Sequence, residues 1–137
     1  MKIPEGREKK DIESREKIIK NFYQRWKKAN PSQRKYNINL KDYINIRSIS
    51  ITETAQKAAK YWYSTYAVLQ LDYILTYAKK IAEVPTKKDN KNQKMFSKII
   101  KMECSLYGGK VSLIVGVQKR TDEKIQYCIT AIKHKRA

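Results

Sequence analysis

A two-residue alternation of apolar and polar side chains fills the last third of the chain, and it leaves a β-sheet as the natural outcome. Met95–Tyr107, Val111–Val117 and Ile125–Ile132 each alternate, with Gly108–Gly109 and Thr121–Glu123 as punctuation between them. Alternation places successive side chains on opposite faces of a strand, and short polar or glycine breaks turn the chain back. The expectation is an antiparallel meander of three or four strands over residues 95–133. In its first strand Phe96, Ile100, Met102, Cys104 and Leu106 should share one face, with Lys101 and Glu103 on the other. In the second strand Val111, Leu113, Val115 and Val117 should be buried, and Gly116 marks a bulge, a bend or a close approach by another group. The third should show Ile125, Tyr127, Ile129 and Ala131 on one side and Gln126, Cys128 and Thr130 on the other.

Everything earlier reads as helical. A loose charged arm over residues 1–10 should lead into a helix from Asp11, with Ile12, Ile19, Phe22, Tyr23 and Trp26 on one face. Asn30 and Pro31 stop it, because the residue before proline avoids helical geometry. Its other face carries Lys17, Lys20, Arg25, Lys27 and Lys28. Residues 32–47 read either as a short helix or as extended chain. Ser50 through Glu53 fits a capping box, so a helix should begin there. Its apolar stripe continues to Ala82, with Ser64 and Thr65 as the place for a kink or a second start. Tyr61, Trp62, Tyr63, Tyr66, Tyr73 and Tyr77 crowd this stretch at helical spacing, which points mostly to core, with at least one of Tyr61 and Tyr63 near the surface. Pro85 then opens a basic loop over residues 83–94, and residues 134–137 form a basic tail. The fold class expected is therefore α+β: one domain, with a helical layer over residues 11–82 packed on the C-terminal sheet.

The formal net charge of +18 narrows the partner class. It divides as +8 over residues 1–47, +2 over 48–82, +2 over 83–94 and +6 over 95–137. Charge of this size favours a polyanionic partner such as RNA, DNA or an anionic membrane surface, although a merely solvated surface would also carry it. The partner expected is nucleic acid, RNA first and DNA second, with no membrane. Cys104 and Cys128 lack metal or redox spacing and read as buried free thiols. No apolar run is long enough to span a membrane, and the N-terminus lacks the apolar stretch of a secretory signal, so a cytoplasmic location is expected.

Catalytic signals are sparse. There is no glycine-rich phosphate loop, a single histidine, and no clustered carboxylates for a metal. Neither metal nor cofactor is expected. Metal-free RNA cleavage needs less: a 2′-hydroxyl held in line, a neutralised phosphate and a protonated leaving oxygen. Lys101 and Arg120 could neutralise the phosphate, Tyr127 could position or protonate an oxygen, and Glu103 could orient the cations or act as base. Lys98, Lys110 and Lys119 on the sheet and His134 just past its last strand, with Lys20, Lys27 and Lys28 on the first helix, would hold the backbone of the nucleic acid.

The stretches Ser48–Thr54, Ala67–Leu75, Gly109–Val117 and Ile125–Thr130 resemble small basic proteins carried on bacterial mobile elements. From about Leu71 onward the chain also resembles the phage-associated nuclease-like domains of the barnase, EndoU, colicin and RelE superfamily, in its order of helix, Pro-containing loop, hairpin and final strand. The resemblance implies a sheet that cleaves or binds RNA, with Glu103, Arg120 and Tyr127 as the positions to carry roles, in a toxin or mobile-element effector that could have a protein antitoxin. Barnase-like members place a histidine on the late sheet, where this chain has none; the Lys, Arg and Tyr usage of RelE-like members fits better. Two other readings stand beside it: a non-catalytic DNA- or RNA-binding accessory protein, and a protein-interaction module steered by its charge.

Overall fold

The three alternating segments form three long strands, and three further strands join them. The computed structural model describes residues 2–134. In chain order they run α1 (Lys9–Ala29), β1 (Arg34–Asn37), β2 (Asp42–Asn45), α2 (Ser48–Ala58), α3 (Trp62–Val68), α4 (Leu71–Tyr77), β3 (Lys79–Val84), β4 (Phe96–Leu106), β5 (Gly109–Gln118) and β6 (Lys124–Lys133). The class is α+β. The sheet, however, has six strands in the order β1-β2-β6-β5-β4-β3 rather than three or four. It is mixed, because β2 runs parallel to β6 while the other pairs are antiparallel.

The extra strands come from the region expected to be helical or undecided. Residues 32–47 form the hairpin β1–β2, whose turn holds Lys41 at φ 56°. Asn37 fixes that turn from inside. Its Nδ2 donates to the Leu75 and Ala78 carbonyls at 2.8 and 3.0 Å, and its Oδ1 accepts from the Asn39 and Leu40 amides. The chain leaves α4 at Ala78 (ψ 142°) and Lys79–Val84 pairs with β4, so the helical stripe ends sooner than its periodicity implied. As the outer strand, β3 is short and lysine-rich, carries a bulge at Ile81, and is followed by Pro85, features that discourage edge-to-edge pairing.

The long stripe, expected to kink or restart at Ser64 and Thr65, is α2, α3 and α4, and its first break falls earlier. Tyr61 breaks it in extended geometry (φ −133°, ψ 145°), with no proline or glycine involved. Tertiary bonds compensate for the break. The Arg15 side chain is fully buried and donates to the Ala59 and Lys60 carbonyls at the end of α2, at 2.7 and 3.3 Å. It also donates to the Pro4 and Gly6 carbonyls, both at 2.7 Å. The segment expected as a loose arm is thereby docked through residues 3–6, with Ile3 buried, and α1 begins at Lys9 rather than Asp11. After His134 the expected basic tail lies outside the described residues.

β2 pairs with β6 at only Lys124 and Ile125, which leaves the rest of that edge without a strand. Serines seal it. Ser50 Oγ donates to the Gln126 carbonyl, and Ser64 Oγ accepts from the Ala131 amide and donates to its carbonyl, both at 2.9 Å. Ser50 also accepts from the Arg47 amide, so it sits inside α2 rather than capping it, and the helix starts at Ser48.

The inner face of the sheet carries Ile100, Met102, Val111, Leu113, Val115 and Ile129 against Ile19, Tyr23, Ala55, Val68, Leu71, Ile74 and Leu75 of the helices. Two bulges change the expected faces. One at Ser97 turns Phe96 to the opposite side from Ile100. One beside Tyr127 pairs Gln126 with Val115 on the inner face and leaves Tyr127 in a smaller cluster with Phe96, Ile99, Ile125 and Cys128. A methyl at Gly116 would run into the Phe96 ring, so close approach is the reason for that glycine. Gln126, turned inward, is fully bonded: it accepts from Tyr23 Oη at 2.6 Å and donates to Thr54 Oγ1 at 2.8 Å.

Candidate nucleic-acid interface

The residues expected to act on a phosphate or to hold the backbone are distributed over five separate surfaces. Lys101 and Glu103 lie on the outer face of β4, in rows with Ile114 and Ser112 of β5. Glu103 is held by Lys110 Nζ at 3.3 Å. Lys98 is on the inner side at the start of β4, paired with Glu83 at 2.9 Å, and Lys80 shares the same carboxylate at 3.3 Å. These two lysines hold the Glu83 carboxyl below its usual range, first through the hydrogen bond from Lys98 and then through that from Lys80. Lys119 and Arg120 are exposed in the β5–β6 turn. His134 is exposed at the other end of the sheet, beside the β4–β5 turn, where its amide donates to the Gly108 carbonyl at 2.8 Å. The 10 residues of β5 between those ends span about 33 Å at ~3.3 Å per residue. Lys20, Lys27 and Lys28 stand on α1, apart from all of these.

Tyr127 is in none of these groups. It is 1% exposed, with its ring edge-on to Phe96 and 4.9 Å beneath Lys57 Nζ. Glu53, Asn90 and Gln93 surround its hydroxyl, which has no hydrogen-bond partner among the described residues. Burial first, and then the adjacent Glu53 carboxylate, push its phenol up to about 12. Glu53, which was expected to complete a capping box, is instead a buried carboxylate paired with Lys57 at 3.5 Å. The geometry keeps Tyr127 protonated and away from a phosphate at the surface.

A set of accessible cations shares the outer side of α1, and others, Lys87, Lys88, Lys91 and Lys94 among them, are exposed on the loop before β4. The α1 sequence carries Asp11, Glu13 and Glu16 in the first half, and from Lys17 onward no acid occurs until Asp42. Arg15, Ile19, Tyr23 and Trp26 face the protein, so helical geometry sends Lys17, Lys20, Arg25 and Lys28 outward. All four are exposed, and none forms an ion pair among the described residues. Lys17 to Lys28 covers about 16 Å at ~1.5 Å per residue. The end of the helix is anchored by Trp26, whose Nε1 donates to Asp72 at 2.8 Å, and Lys35 of β1 reaches the same carboxylate at 3.7 Å. Some lysines elsewhere are neutralised, as Lys124 is by Asp42 at 2.7 Å, whereas Lys87, Lys88, Lys91, Lys94, Lys119 and Arg120 form no ion pair among the described residues.

Sequence reading identified the α1 cations but missed Glu53 and Arg15, because each gains its role from partners far along the chain. Of the six aromatics expected to be mostly core, Tyr63 is buried, Trp62 and Tyr66 are half-buried, and Tyr61, Tyr73 and Tyr77 are exposed. Cys104 and Cys128 sit on opposite faces of the sheet as free thiols, both raised to about 11 by burial. Among the described residues no group of three or more His, Cys, Asp or Glu is placed to hold a metal ion, and no helix is long and apolar enough to cross a membrane. No protein-family model, curated protein or solved structure matches the chain.

Proposed function

We propose that the protein binds nucleic acid and holds it without cutting it, with RNA as the first ligand to test. The observation that carries this reading is the exposed stripe of Lys17, Lys20, Arg25 and Lys28 on α1, which has no carboxylate partner among the described residues. A row of unneutralised cations on a rigid helix attracts a phosphate backbone and releases its counterions, whatever the base sequence. Cleavage would need Lys101, Arg120 and Tyr127 around one linkage, and their separation favours holding over cutting.

The test is anisotropy of labelled RNA and DNA oligomers in EDTA across a salt series, with the products run on a denaturing gel. Affinity should fall linearly with the logarithm of salt, and the oligomers should stay intact. Replacing Lys17, Lys20 and Lys28 by Gln should reduce the slope by about 2–3, at roughly 0.7–0.9 per lost phosphate contact. Binding indifferent to salt, or a slope unchanged in the triple variant, would overturn the α1 assignment. Shortened RNA would restore the cutting reading.

A further inference from the structure

The end of the sheet away from the β5–β6 turn carries an aromatic surface that the α1 cations do not explain. The Trp62 and Tyr66 rings, one helical turn apart on α3, stack with centroids 5.6 Å apart and planes 1° from parallel. Tyr63 beneath them is locked in place, its hydroxyl donating to the Tyr107 carbonyl at 3.1 Å. Tyr107 occupies the two-residue β4–β5 turn with Gly108, which takes φ 77°. Its side chain is 93% exposed. Between these aromatics and the end of β6 is a hollow of about 530 Å³, with Lys133 and His134 on its rim. Lys133 Nζ lies 6.0 Å from the Trp62 ring centre. No carboxylate lines this hollow among the described residues. A second hollow of about 540 Å³ adjoins it across Trp62 and adds Arg7, Lys60 and Tyr61, with Glu5 as its one carboxylate among the described residues.

An aromatic ring left wet at a turn does nothing for the core. Flat π-faces beside cations, with no acid between them, match the chemistry of a nucleotide: a base that stacks and a phosphate that pairs. The volume falls in the roughly 300–1,000 Å³ range of ligand-sized sites. A paired base hides its faces inside the duplex, so only an unpaired one can use such a platform. We infer that the hollow between Trp62, Tyr107 and Lys133 is a stacking subsite for an unpaired nucleobase, which makes single-stranded nucleic acid the preferred ligand. The inference rests on the nucleic-acid reading above and adds to it the form of the strand. The α1 cations supply the attraction common to both forms, and the aromatic end discriminates between them.

The experiment compares a 12-nucleotide single-stranded RNA with the duplex of the same sequence, on wild type, Tyr107→Ala, Trp62→Leu and the α1 triple variant. Wild type should bind the single strand more tightly. Tyr107→Ala should weaken single-strand binding by about 5- to 100-fold and leave duplex binding unchanged. Tyr107 packs into no core, so this variant tests the site even if Trp62→Leu unfolds. The α1 triple variant should weaken both ligands alike. Equal affinity of wild type for the two forms, or a Tyr107→Ala protein that binds the single strand as wild type does, overturns the inference and leaves the nucleic-acid reading standing. A wild type that binds neither oligomer overturns both.

Discussion

Replacing Arg15 should undo the docking of the N-terminal segment and the α2–α3 corner together. The guanidinium is fully buried, has no carboxylate partner among the described residues, and donates to four carbonyl oxygens, those of Pro4, Gly6, Ala59 and Lys60. In Arg15→Met a side chain of similar reach fills much of the space but donates nothing. The Ala59 acceptor then stays buried without a partner, at about 1–3 kcal/mol. The carbonyls of Pro4 and Gly6 lose bonds to a charged group, worth about 1.5–3 kcal/mol each, part of which returns when the segment peels away into water. The net loss should be about 3–5 kcal/mol, a large share of the roughly 5–15 kcal/mol that holds a domain together. For a chain of this length that corresponds to a Tm lowered by about 10–15 °C. Urea unfolding followed by tryptophan emission measures it, since buried Trp26 and half-buried Trp62 both report. Arg15→Lys keeps the charge but not the fork, and should recover less than half of the loss. Deleting residues 2–6 removes the Pro4 and Gly6 acceptors and should cost less than Arg15→Met. An Arg15→Met protein within about 1 kcal/mol of wild type, or a deletion as damaging as the substitution, would refute the clamp.

Three other outcomes are expected. Ser64→Ala should destabilise by about 1–3 kcal/mol, because the Ala131 amide and carbonyl lose their partner on the β6 edge, and hydrogen exchange at the Ala131 amide should quicken selectively. Tyr127→Phe should leave urea stability unchanged or raise it by up to about 1 kcal/mol, since the hydroxyl has no partner among the described residues, and RNA binding should not change; a clear loss of either would assign that hydroxyl a role. Stability should also decline in alkali. Tyr127 is pushed up to about 12 and both thiols to about 11 from ordinary values of 10.0 and 9.0, and Tyr23 is raised too, in each case first by burial. The folded state thus keeps protons that the unfolded chain releases. Stability is whole below about pH 9 and is lost as pH rises through 11 and beyond, so a urea midpoint flat from pH 8 to pH 11 would contradict these burial assignments.

What was legible in the residues was local. The alternation of Met95–Ile132 found β4, β5 and β6 together with both turns, and the three- and four-residue spacing of Ile19, Tyr23 and Trp26 found α1 and its exposed cations. Gly116 announced a bulge, a bend or a close approach, and only the packing of Phe96 over it chose the last. The stripe from Ile51 to Ala82 misled, because apolar spacing at helical period does not record where the chain bends. Tyr61 and Ala78 leave helical geometry for reasons that lie on other elements: Arg15 takes up the α2 carbonyls, Ser64 seals β6, and the open edge of β4 recruits Lys79–Val84. A single bulge at Tyr127 was enough to move it out of the expected cluster and turn Gln126 inward.

Local pattern and composition were enough for the helical α1, the long hairpins of the sheet and the excess of positive charge, since the first two depend on neighbours within a few residues and the third on residue counts alone. Long-range packing set which cations remain free, which aromatics stay wet and which phenol is sealed off. Those outcomes depend on contacts between residues 40 to 100 positions apart, such as Arg15 with Ala59 and Tyr23 with Gln126, and on bulges that reverse a strand's faces without altering its pattern of letters.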